Sequence, residues 1–100
     1  MMRDGTGVPL RLLPWTTPDG RPCYLSSDGE GGRLSRMADE VEAELLGSAA
    51  YVLTAARTLL DEPGTGKQEL RFAGVRLAEA LGDALRIAAS RGARLPEEEG

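Results

Sequence analysis

The strongest constraint on the fold of this 100-residue chain is a 3.6-residue apolar period that persists for about eight helical turns. On a helical wheel, the stripe within about 60° of Leu34 contains ten more small or apolar residues. They are Met37, Ala38, Val41, Leu45, Ser48, Ala49, Val52, Ala55, Ala56 and Leu59. The stripe predicts an amphipathic helix over residues 33–61, which Pro63 ends because proline disfavours the α region at the residue before it.

A second apolar row accompanies the stripe in the C-terminal half of this predicted helix. Leu46, Leu53 and Leu60 recur every seven residues and lie roughly 80–120° around the helix from the stripe. One neighbouring helix covers only one of the two rows, so the second row needs a further partner. We expect either the N-terminal segment or a second copy of the chain to cover it, the latter in a homodimer of four helices.

A second amphipathic helix is predicted over residues 66–91. Its narrower stripe consists of Leu70, Ala73, Leu77, Leu81, Ala84, Leu85 and Ala88. Thr65 and Gln68 fit a capping box at its start, and Gly92 fits a C-cap glycine at its end.

Two further features of the helices point to contacts. Phe72 and Val75 fall on the polar side of the second helix, where large apolar side chains either are covered or bind a partner. Gly47, Gly74 and Gly82 each cost about 1 kcal/mol relative to alanine in a helix interior. We expect close helix contacts at these glycines to offset that cost.

The N-terminal quarter has the pattern of a β-hairpin over residues 8–26. Two apolar segments, 10–15 and 22–26, flank residues 17–20 (T-P-D-G), whose proline presets φ and whose glycine accepts a positive φ. Pro14 cannot donate to a sheet ladder, so the first segment is predicted to be an edge strand.

The elements together predict an α+β fold that is mainly α. We expect one domain over residues 1–100, in which the hairpin packs on a long antiparallel pair of helices. Ser27 and Glu30 fit a capping box before the first helix, and residues 93–100 form an acidic tail.

Composition excludes several functional classes. The chain has no histidine and one cysteine, so histidine-based nucleophilic catalysis, an internal disulfide and a cysteine zinc cluster are all excluded. We therefore expect no catalytic residues, no metal and no cofactor.

Neither half is basic and the net charge is -4, which argues against nucleic acid as a partner. No segment is long and apolar enough for a membrane span, and we expect a cytoplasmic protein. The excess of arginine over lysine and the lack of asparagine are typical of high-GC genomes, such as those of actinobacteria.

Three motifs resemble chemical sites but are better explained as structure. Residues 63–67 (P-G-T-G-K) match only the end of a phosphate-binding loop, and Gln68 lacks the hydroxyl that would hold Mg²⁺. Residues 28–30 (D-G-E) lack the spacing of a calcium loop. The carboxylates of Asp39, Glu40, Glu42 and Glu44 are spread around the helix, which predicts a solvated acidic face.

Cys23 and Trp15 have more than one interpretation. Cys23 has no histidine or second cysteine to activate it, so we favour a partly buried structural thiol. Trp15 either packs the hairpin onto the helices or anchors an interface.

The favoured function is a non-enzymatic protein-protein interaction module, such as a regulatory adaptor, that acts as a homodimer. The candidate interaction residues are Leu46, Leu53, Leu60, Phe72, Val75 and Trp15. The alternative is a small-molecule binding protein, with a pocket between hairpin and helices lined by Trp15, Tyr24 and Tyr51, in which Arg33 or Arg36 holds an anionic ligand. A DNA-binding regulator is disfavoured, because a helix-turn-helix needs short helices at a steep angle.

Overall fold

The computed structural model describes residues 10–26 and 32–94. Two strands, β1 (Leu10–Thr16) and β2 (Pro22–Ser26), precede two helices, α1 (Gly32–Asp61) and α2 (Lys67–Arg94). The fold is therefore α+β and mainly α, with an N-terminal β-hairpin and a helical hairpin, as the sequence predicts. The start of the predicted hairpin, the Ser27–Glu30 capping box, the 28–30 motif and residues 95–100 lie outside the described residues.

The β-hairpin forms around the predicted turn. Gly20 N donates to Thr17 O at 2.9 Å, and Gly20 has a φ of 86°, a conformation that glycine adopts without a Cβ penalty. β1 and β2 pair antiparallel, with Leu12 opposite Tyr24 and Thr16 opposite Pro22. Three residues of β1, centred on Pro14, thus lie opposite a single residue of β2, because proline cannot donate to the ladder.

The connection between the helices differs from the predicted capping box. The Thr65 hydroxyl donates to Leu59 O at 2.6 Å and so satisfies a carbonyl at the end of α1. Gly66 occupies the N-cap of α2, since its carbonyl accepts from Leu70 N at 3.0 Å. The prediction of a Thr65–Gln68 capping box is therefore wrong, because the turn places Thr65 over the last turn of α1.

The end of α2 also corrects the sequence-based boundary. The helix continues through Gly92 to Arg94, and Gly20 is the one glycine of the described residues with a positive φ. The predicted C-cap at Gly92 is wrong, as is the start of the tail at residue 93. A helical glycine costs only about 1 kcal/mol, and contacts of Ser90 and Arg91 hold this end of the helix in place.

The chain divides into two compact units. The first contains the described residues up to Glu42 together with those from Arg86 onward, and its buried apolar side chains come from both hairpin and helices: Leu13, Ala38 and Ile87. The second unit, Ala43–Leu85, is an antiparallel pair of helical segments that bury Val52, Ala56 and Ala73. That residues 1–100 form one domain stays a prediction.

The three glycines inside the helices are not sites of close contact within the chain. A Cβ added at Gly47, Gly74 or Gly82 would have no neighbouring atom within 4 Å. The expectation that contacts inside the chain offset their helix cost is therefore wrong for all three positions. In the described part of the chain, no helix is long and apolar enough to cross a membrane.

Candidate interaction surfaces

One side of the second unit is covered by leucines from both helices, and we call it the leucine face. It consists of Leu46, Leu53, Leu60, Leu70, Leu81 and Leu85. Leu46 is half-buried, and the other five are between 40% and 66% exposed. Five large aliphatic side chains with this exposure on adjoining helices form a patch of the kind that marks interaction sites.

Helix geometry explains why the six leucines share one side. On α1, the row through Leu53 lies about 100° around the helix from buried Val52. On α2, Leu81 and Leu85 lie about 80–120° around in the same rotational sense from buried Ala73. Because the two helices are antiparallel, equal rotations in the same sense bring both rows to the same side of the pair.

The structure corrects the predicted stripes of both helices. On α2, Leu81 and Leu85 are exposed, whereas Ala73 is buried and Ala80 and Ala84 are half-buried. The alanines thus form the line toward α1, and the leucines lie to one side of it. On α1, the predicted stripe member Ala38 is buried, but the stripe members Leu34 and Met37 are exposed, and Glu42, which was not assigned to the stripe, is buried.

The opposite side of the second unit carries a groove with aromatic walls, which we call the aromatic groove. Its walls are Tyr51 from α1 and Phe72 from α2, which are 76% and 67% exposed. The remaining lining residues are Val52, Ala55, Ala56, Leu59, Ala73 and Arg76. Its volume of about 120 Å³ is well below the ~300–1,000 Å³ typical of small-molecule clefts. The groove therefore suits one or two protein side chains.

The six predicted interaction residues fall into separate places. Leu46, Leu53 and Leu60 lie on the leucine face, and Phe72 lies on the aromatic groove. Val75 is exposed on the side of α2 that faces away from α1, and it belongs to neither surface. Trp15 is half-buried in β1 of the first unit. The sequence pattern did not indicate Leu81 and Leu85 as interaction residues, because leucines within an apolar stripe have the pattern of core residues. Tyr51 was expected only as part of a small-molecule pocket.

The first unit contains a buried polar cluster around Arg11. Its guanidinium donates to Ser35 O at 2.9 Å, to the Ser35 hydroxyl, to Asp39 Oδ1 at 2.7 Å and to Glu42 Oε2 at 3.3 Å. Arg91 Nε lies 3.5 Å from Glu42 Oε1. The cluster links β1, α1 and α2, so charge pairing and hydrogen bonding hold the hairpin on the helices. Arg11 Nε is buried without a protein partner.

This cluster overturns the prediction of a solvated acidic face for one of its members. Asp39, Glu40 and Glu44 are exposed, but Glu42 is buried against Arg11. The alternation of the strand could have indicated that Arg11 is buried, because residues two apart share a face of a strand and Arg11 is therefore on the same side of β1 as Leu13.

The structure also places the residues of the chemical motifs. Residues 63–67 form the turn between the helices and the first residue of α2, as expected of a connection. Cys23 is half-buried in β2, which agrees with a structural thiol. Over residues 10–26 and 32–94, no three histidine, cysteine or acidic side chains cluster in a way that could hold a metal ion.

The residues of the small-molecule alternative are divided between the units. Trp15, Tyr24, Arg33 and Arg36 belong to the first unit, and Tyr51 belongs to the second, where it lines the aromatic groove. An anionic ligand between hairpin and helices stays a prediction.

A scan against protein-family models, a search of curated proteins and a search of solved structures each return no match.

Proposed function

We propose that this chain is a non-enzymatic, cytoplasmic protein-protein interaction module that acts as a homodimer through the leucine face. The observation that supports this proposal is the exposure of five leucines on one side of two adjoining helices. A small module that associates with itself is suited to act as a regulatory adaptor.

The size of the leucine face supports a second copy as its partner. Its five exposed leucines present roughly 500 Å² of aliphatic surface, at the upper end of what a typical monomer leaves uncovered. A standard interface buries about 800 Å² on each partner, so these leucines would supply more than half of it.

The chemistry of the leucine face also suits pairing with itself. A two-fold axis brings the same surface of two copies together. Because the leucine face is aliphatic, this arrangement does not place like charges opposite each other. Gly74 and Ala78 lie beside the leucines on α2 and leave room for a facing helix. Two pairs of helices packed in this way form a four-helix arrangement.

The decisive experiment compares two glutamate substitutions on α2. Leu81 lies on the leucine face, and Val75 is a comparably exposed aliphatic residue outside it. Sedimentation equilibrium of the wild-type chain at high micromolar concentration should give twice the 10.6 kDa monomer mass. Leu81→Glu should reduce the mass to that of a monomer, because it buries unpaired carboxylates at the interface, and Val75→Glu should remain dimeric. A monomeric wild-type chain, or two variants that both remain dimeric, would refute the proposal.

A further inference from the structure

Side chains that line a common hollow show which positions of α1 and α2 lie level with each other. Val52 lines the aromatic groove together with Ala73 and Arg76, and Leu45 lines a second hollow together with Asp83. Because the two helices are antiparallel, a residue one position later on α1 is level with a residue one position earlier on α2. The same relationship matches the positions of the leucine face.

The leucine face consists of three layers that lie about 10 Å apart along the helices. Each end layer contains a leucine from each helix: Leu60 with Leu70, and Leu46 with Leu81. In the middle layer, Leu53 is level with Gly74. A Cβ added at Gly74 would meet no atom within 4 Å. The middle of the face therefore has a large side chain on α1 and a notch on α2.

A two-fold axis in the plane of the interface can join two leucine faces in two ways. If the axis is perpendicular to the helices, each helix packs on its own copy, so that Leu53 meets Leu53 and Gly74 meets Gly74. Leu70 and Leu81 then hold the two copies of α2 apart on either side of the paired notches. This arrangement leaves a void at the centre of the interface, and such voids are costly.

If the axis is parallel to the helices, α1 of one copy packs on α2 of the other at the same level. Leu53 of each copy then lies over the Gly74 notch of the other. Large side chains that face small ones interdigitate without voids or overlap. Symmetry makes this contact twice, because a two-fold interface repeats every contact.

We propose that two copies of the chain pair with the axis parallel to their helices, so that Leu53 of each copy inserts at Gly74 of the other. This inference rests on the proposed homodimer through the leucine face and names the residues that complete each copy's binding surface. The shape of the middle layer carries it, since a leucine beside a notch fits a second copy of itself in this arrangement.

Disulfide trapping in a Cys23→Ser background distinguishes the two arrangements. Chains with Leu53→Cys are mixed with chains that carry Gly74→Cys, in a glutathione redox buffer, and the linked products are weighed by mass spectrometry. Because a disulfide needs Cα atoms within about 7 Å, we expect the mixed product to exceed either self-linked product at least about tenfold. Predominant self-linking of Leu53→Cys chains would overturn the proposal.

A second mixture serves as the control. Leu46 and Leu60 of different copies meet only when the axis is perpendicular to the helices, so chains with Leu46→Cys and chains with Leu60→Cys should not form a mixed disulfide. Sedimentation of all samples under reducing conditions separates the two proposals. A dimer with the wrong links refutes the arrangement alone, whereas a monomeric wild-type chain refutes both the arrangement and the homodimer.

A measurement without cysteines tests the same contact. Gly74→Ala narrows the notch, and Leu53→Ala removes the side chain that enters it. If the two residues touch across the interface, their effects on the dimer dissociation constant are coupled. The double variant should then dissociate at least about threefold less than the product of the two single effects predicts. Independent effects would contradict the insertion of Leu53 at Gly74.

Discussion

Arg11 on β1 and Glu42 on α1 form an ion pair at 3.3 Å, with side chains only 5% and 1% exposed, although 31 positions separate them in sequence. A buried pair of charges gains little net stability over apolar residues of the same volume, but it is costly to break. It also specifies which part of α1 faces the hairpin, because Arg11 would lose its partners Ser35, Asp39 and Glu42 in any other arrangement.

Replacing Arg11 should therefore be costly. We expect Arg11→Met to lower the free energy of unfolding by about 3 kcal/mol, because Glu42 stays buried after it loses one of its charged partners. Urea denaturation followed by circular dichroism measures the change. Arg21→Met is the matched control on the same hairpin, since the Arg21–Asp19 pair is exposed and should contribute less than about 1 kcal/mol.

The double variant Arg11→Met with Glu42→Leu distinguishes a broken charge pair from lost side-chain packing. It removes both buried charges, so we expect it to recover more than half of the stability lost in Arg11→Met. If Arg11→Met and Arg21→Met cost the same, the buried pair does not hold the hairpin in place.

Ser90 makes a smaller contribution to the same unit. Its buried hydroxyl donates to Leu12 O at 2.7 Å, and a hydrogen bond of this kind contributes about 1 kcal/mol. Ser90→Ala should lower the melting temperature by about 4–8 °C. Ser48→Ala, at an exposed helical serine, controls for the higher helix propensity of alanine and should not lower it.

Truncation of two adjacent residues of α1 should change the unfolding free energy by very different amounts. Val52 is buried, and Val52→Ala should cost about 2 kcal/mol through the cavity that it leaves. Tyr51 is largely exposed, and Tyr51→Ala should change the unfolding free energy by less than about 0.5 kcal/mol. Thermal denaturation of both variants checks the orientation of the helix, and similar losses would contradict it.

Two exposed glycines of α2 allow the stability of the helix to be separated from association. Gly82→Ala and Gly74→Ala should each stabilise the monomer by about 1 kcal/mol, since neither Cβ would meet another atom. Gly74 lies beside the leucine face, and Gly82 lies on the side of α2 away from α1. Gly74→Ala should therefore weaken the dimer, and Gly82→Ala should not, when dissociation constants are measured by sedimentation. Equal dimer affinity in both variants would mean that no helix approaches Gly74 closely.

The β-hairpin and both ends of α1 were predictable from local sequence. Pro18, Asp19 and Gly20 define the hairpin turn within four residues, and the apolar period with Pro63 places α1 to within a residue. In each case the residues that determine the structure are neighbours in sequence.

The candidate surfaces were less predictable, because they depend on which side of a helix meets its neighbour. The periodic stripe of α2 contains both leucines and alanines, and a helical wheel does not distinguish a core of alanines from a core of leucines. The pairing of Arg11 with Glu42 depends on segments 31 positions apart, so no local pattern distinguishes Glu42 from the exposed acidic residues beside it.

Pro14 and the bulge around it make β1 a poor template for a third strand. A sheet of two strands has two outer edges, and such edges can recruit further chains into amyloid-like stacks. Proline removes one backbone donor, and the irregular register between Leu12 and Thr16 interrupts the regular spacing that a new strand would need. Leu12 O is also engaged by the Ser90 hydroxyl. The outer edge of β1 is thus a poor starting point for the addition of further strands.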